Sequence, residues 1–266
     1  MNVIDKYNAR ADAVGSLVCV GLDSDLSRLP ERFRGSDTPQ FDFNRWIVEQ
    51  THPFASAYKP NMAFYEARGD AGLRDLKLTV DYLREAHPDV LTICDAKRAD
   101  IGSTNTGYVQ EIFDWLGFDA VTLNPYLGRE ALAPFLARGD KGCIILCRTS
   151  NPGAGELQDL SVEGEPLWAV VARRVCQAWN ALGNCMLVAG ATYPDELRRI
   201  REIAGEMTLL VPGLGAQGGQ VERTVRAGLN EAGRGLILNS ARGIIFADDP
   251  ADAARSLRDE VNRHRS

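Results

Sequence analysis

The stretch that decides the fold runs from Leu91 to Thr104 and reads LTICDAKRADIGST. Its first part, Leu91–Cys94, is apolar but for Thr92, as in a strand buried on both faces of a parallel sheet. Its second part packs Asp95, Lys97, Arg98 and Asp100 into six residues. A core strand that ends in charges suits the C-terminal rim of an α/β barrel, where sites are built. Asp95 and Lys97 are two apart, so strand alternation points both to the same side. If that side is the barrel mouth, they are neighbours there.

Similar apolar runs recur at 17–23, 55–61, 120–126, 142–150, 184–192, 208–215 and 235–242, which makes eight with the first. Helical spacing lies between several of them. Residues 72–86 set Leu73, Leu76, Val80 and Leu83 on one stripe. Residues 104–116 do the same with Tyr108, Ile112 and Trp115, and Gly117 suits a helix end. The segments 164–181, 194–204 and 250–262 also read as helices. Alternating strands and helices predict an α/β fold, a single (β/α)8 TIM barrel filling 1–266 as one catalytic domain. A doubly wound open sheet is the competing arrangement. The stretches 24–41, 151–166 and 213–220 read as long loops after strand ends.

Composition narrows the function. The chain has 266 residues, 45% hydrophobic and 25% charged, with net charge -6. No basic run suggests a nucleic-acid face. No apolar run approaches the roughly 20 residues that span a membrane, and the first residues lack a signal-like apolar region. Six cysteines without a C-x-x-C pair are expected to be buried reduced thiols in a cytoplasmic protein. With three histidines, two of them preceding prolines, a His-based triad or metal site is a poor fit.

Polar residues gather at the ends of the expected strands: Asp23, Lys59, Asp95 with Lys97, Arg148-Thr149-Ser150, and Asn239 to Arg242. Desolvated charges are costly unless paired, so such a concentration points to function. Lys59 should reach Asp95 from the neighbouring strand. A lysine held charged by carboxylates can stabilise a developing carbanion and then protonate it. Schiff-base chemistry wants a lysine of lowered pKa, which these neighbours oppose. The glycines of 213–219 together with Arg242 suggest a phosphate site after the last two strands.

DAKRADIGST resembles the D-x-K-x-x-D signature of the orotidine 5′-monophosphate decarboxylase family, in its longer bacterial subgroup. The similarity continues through GLDSD (21–25), YKPN (58–61), TSNPG (149–153), PGLGAQGG (212–219) and NSARGIIFA (239–247), in order along nearly the whole chain. Ala99 stands where the family more often has glycine. The resemblance implies decarboxylation of orotidine 5′-monophosphate to uridine 5′-monophosphate, without metal or cofactor. It implies a charged tetrad of Lys59, Asp95, Lys97 and Asp100, with Lys97 as proton donor to C6 and Asp95 near the departing carboxylate. It further implies that Asp23 and Lys59 contact the ribose hydroxyls, that Ser150 meets the pyrimidine edge, and that Gln217 and Arg242 hold the 5′-phosphate. Asp100 and Thr104 would serve the partner's site in a homodimer, leaving Arg98 as an ordinary rim charge. Two other readings stay open: a metal-dependent sugar-phosphate decarboxylase or aldolase, whose members tend to carry an acid where Lys59 stands, and a catalytically silent nucleotide-binding barrel.

Overall fold

The computed structural model describes residues 2–214 and 218–265. Eight parallel strands close into a barrel in chain order. They are β1 (Val18–Gly21), β2 (Ala57–Lys59), β3 (Leu91–Arg98), β4 (Ala120–Leu123), β5 (Gly142–Arg148), β6 (Cys185–Ala189), β7 (Leu209–Pro212) and β8 (Leu236–Ser240). Each falls inside one of the expected runs. Closure comes from β8 against β1, with Val18 opposite Leu238 and Val20 opposite Ser240. That pairing excludes the open sheet. Near the mouth the same two strands come very close: a Cβ on Gly21 would stand 2.5 Å from the Ala241 Cβ.

The opposite end is capped by the helix Val3–Val14. Its buried Tyr7 hydroxyl donates to the Leu236 carbonyl at 2.5 Å, and Lys6 pairs with Asp119 at 2.8 Å. With the bottom shut, the strand C-termini form the accessible face. Five of the six cysteines are buried, Cys176 is half-buried, and all six are free thiols. Among the described residues no helix is long and apolar enough to cross a membrane.

Helix boundaries depart from the expected ones for local reasons. The helix of 72–86 begins earlier, at Gly69. Its first turn carries no large apolar side chain, so periodicity does not reveal it. Gly72 instead lets the helix press on the Tyr65 backbone, where a Cβ would lie 1.9 Å from the carbonyl oxygen. The helix Gly102–Val109 passes into a wide π turn, Gln110–Trp115. That turn shifts the helical phase, and Trp115 ends half-exposed rather than on the buried stripe. Residues 164–166 are not helical. Ser161–Val162 pairs with Glu165–Pro166 in a hairpin. Glu163 and Gly164 both take positive φ in its turn, and the helix starts at Leu167. The expected loop 24–41 contains the short turns Leu26–Arg28 and Glu31–Arg34. It stops at Thr38, because Pro39 opens the helix Pro39–Thr51.

Candidate active site

Lys59, the last residue of β2, is buried and donates to Asp95 Oδ2 at 2.7 Å. Lys97 Nζ donates to the other oxygen, Oδ1, at 2.6 Å. Thr122 of β4 also donates to Oδ1, at 3.0 Å, and Asn61 Nδ2 lies 3.4 Å from Oδ2. One carboxylate therefore joins two ammonium groups in a Lys59–Asp95–Lys97 chain. The ends of that chain differ: the Lys59 side chain is 4% exposed and that of Lys97 49%.

Asp95 and Lys97 of β3 meet, but simple alternation does not bring them together. The strand shifts register against β4 between Cys94 and Arg98. Lys97 adopts φ +50, a left-handed backbone rare for a residue with a Cβ. Its amide donates to the Thr122 hydroxyl at 2.9 Å rather than to a strand partner. The bulge aims Lys97 where a regular strand would not.

Burial opposes ionisation of Asp95, but the charges of Lys59 and then Lys97 overcome it and hold the carboxyl well below the usual carboxylate range. Burial pulls Lys59 down, and Asp95 with Asp23 more than offsets that, so Lys59 stays charged with a raised pKa. Asp23 behaves differently. Burial pushes its pKa above the ordinary value, with only partial relief from Lys59. Its Oδ1 is buried without a hydrogen-bond partner among the described residues. Such an oxygen keeps an unused acceptor at the mouth of the barrel.

A cavity of about 370 Å³ adjoins this cluster, walled by Asp23, Lys59, Asp95, Asn239 and Arg242 and by the end of β7 at Pro212–Leu214. Arg242 is exposed, directly after β8, and also borders a second space of about 360 Å³ with Asp25 and Arg28. Ser150 lies beyond β5, packed against Gly190, where a Cβ would stand 3.0 Å from its own. Its hydroxyl is 3.8 Å from the place a Cβ on Gly213 would take, so it faces the end of β7. Gln217 falls outside the described residues, as does the middle of the 213–220 loop.

Two expected site residues do not join the cluster within one chain. Asp100 accepts from the Ile101 amide at 2.7 Å, its own amide donates to Asn105 at 2.9 Å, and no bond links it to Lys59, Asp95 or Lys97. Thr104 is exposed in the first turn of the helix Gly102–Val109. Two arginines near the rim turn away from the cluster. Arg98 pairs with Glu66 and lies 5.1 Å from the Tyr108 ring centre. Its partners sit on different segments, so sequence spacing gives no hint of them. Arg148 is buried and turns toward the 151–166 segment, meeting Asp159 at 3.2 Å, Gln158 at 3.3 Å and the Tyr193 ring at 4.4 Å. The residue that sequence reasoning missed is Thr122. Its one signal is a hydroxyl inside the apolar run AVTL.

Fold and mouth together define a class: a closed (β/α)8 barrel with a lysine–carboxylate–lysine chain at its strand C-termini, suited to acid–base chemistry on a small ligand. A family model described as Orotidine 5'-phosphate decarboxylase / HUMPS family matches residues 16–257. A protein named orotidine 5'-phosphate decarboxylase from Azoarcus sp. (strain BH72) is 48% identical over 257 residues, covering 94% of each chain. One of the same name from Dechloromonas aromatica (strain RCB) is 46% identical over 100% of both. The solved Leishmania donovani OMP decarboxylase superposes with a TM-score of 0.89 at 37% identity, covering 100% of this chain and 99% of that one. The chain belongs to the orotidine 5'-phosphate decarboxylase / HUMPS family.

The asymmetry of the chain of charges is testable. Lys59→Ala removes the buried donor to Asp95 Oδ2, leaving that oxygen without its cation, and should cost about 3 kcal/mol. Lys97→Ala removes a half-exposed partner and should cost at most about 1 kcal/mol. Urea unfolding at pH 7 measures both, and equal losses would contradict the arrangement.

Proposed function

We propose that residues 1–266 act as one catalytic domain that decarboxylates orotidine 5′-monophosphate to uridine 5′-monophosphate in de novo pyrimidine biosynthesis. The observation that carries the reading is the Lys59–Asp95–Lys97 chain beside a cavity bordered by Arg242. Arg242, with Gln217, holds the 5′-phosphate. Asp23 and Lys59 accept and donate to the ribose hydroxyls, and Ser150 meets the pyrimidine edge. The bond from C6 to the carboxylate breaks, its electron pair stays on C6, and CO2 leaves. Lys97 Nζ passes its proton to C6 and regains one from water. Lys97 is suited to this as the exposed end of the chain, while Lys59 pins Asp95 from below.

The metal-dependent alternative fares worse on the same geometry. A cation drawn to Asp95 would have to displace two ammonium donors. The net charge of -6 speaks against a nucleic-acid partner, and the free thiols suit a cytoplasmic enzyme.

Asp100 and Thr104 are read as contributions to the partner's site in a homodimer. Their support is that Asp100 has no bond to its own chain's cluster and Thr104 is exposed.

Purified protein should consume orotidylate, followed by its loss of absorbance, and Lys97→Ala should lower kcat at least about 100-fold. No turnover by wild type would overturn the function. Wild-type turnover by Lys97→Ala would remove the proton-donor role. Mixing Asp100→Asn dimers with Lys97→Ala dimers should regain activity as subunits exchange. Exchange without recovery would count against the shared site.

A further inference from the structure

We infer that Thr122 is a positioning residue for the reaction, whose hydroxyl ties the Lys97 backbone and the Asp95 carboxylate together. Its side chain is buried on β4, a strand paired on both sides by β3 and β5. The hydroxyl accepts from the Lys97 amide at 2.9 Å and donates to Asp95 Oδ1 at 3.0 Å. The direction is set by chemistry. An ionised carboxylate only accepts and an amide N–H only donates, so the single hydroxyl proton points to Asp95.

The bond matters because of where Lys97 stands. Its left-handed backbone is unfavourable for a residue with a Cβ, and the register shift takes its amide out of the regular strand pairing. Thr122 supplies the acceptor that the ladder no longer provides. Asp95 Oδ1 also receives Lys97 Nζ. Thr122 therefore constrains Lys97 twice, directly at the main chain and through Asp95 at the ammonium. Without the hydroxyl the turn loses its anchor and Nζ loses its fixed place beside Asp95.

The inference rests on the proposed decarboxylation, and turnover by the wild-type enzyme tests that part separately. Given turnover, Thr122→Val should lower kcat by about 10- to 100-fold, the usual scale for a misplacement near 1 Å. KM for orotidylate should stay within about threefold, since Arg242 and Asp23 are untouched. Because Asp95 loses a donor to its charged form, its carboxyl resonance should titrate at higher pH than in the wild type. Thr122→Ser keeps the hydroxyl and should restore at least half of wild-type kcat. If Thr122→Val does not fold, Thr122→Ala compared with Thr122→Ser decides the matter in the same way. Wild-type kcat together with an unmoved Asp95 titration in the hydroxyl-free variant would overturn the inference. So would a serine variant as slow as the hydroxyl-free one.

Discussion

The Asp95 carboxylate held between Lys59 and Lys97 is the interaction on which the rest of the structure depends. A carboxylate and an ammonium this far from water are costly alone, and each is tolerable only because the other is in place. Asp95 accepts from Lys59, Lys97 and Thr122, so neither of its oxygens is free to wander. What remains adjustable is the outer end, Lys97, which is half-exposed. The inner pair gives rigidity, and the outer lysine is free to meet a ligand.

The barrel supplies what this cluster needs. Lys59 closes β2, Asp95 leaves β3 and Thr122 sits in β4, so three adjacent strands each place one group. The helix Val3–Val14 packs across the other end, and the charged residues line the strand C-termini. The close approach of Gly21 to Ala241 brings β1 and β8 together, setting Arg242 near Asp23. Among the described residues, Asp23 keeps a buried carboxylate oxygen without a hydrogen-bond partner.

Much of this was legible in the sequence, and the limits are physical. Continuous apolar runs revealed every barrel strand, because parallel strands are buried on both faces. Polar residues at their ends marked Asp23, Lys59, Asp95 and Arg242. Alternation gave the right neighbours in Asp95 and Lys97 for the wrong reason, since a bulge and a left-handed lysine bring them together. No periodicity announces such a turn in a residue other than glycine. The partners of the arginines were not legible, because charge alone does not say which way a long side chain turns. Arg148 runs to Asp159 and Tyr193, and Arg98 to Glu66, partners set only by folding. Thr122 was invisible for the opposite reason: one hydroxyl in a buried strand reads as packing until its two bonds are seen.

The central claim is that Asp95 stays ionised, clamped by two lysines, throughout the working range. The direct measurement is a pH titration of the carbon-13 carboxyl resonance of Asp95, assigned with Asp95→Asn and followed down to the onset of acid unfolding. The account predicts a resonance that remains in its ionised position well below the ordinary carboxylate midpoint of about 4. A midpoint at or above that value would contradict it.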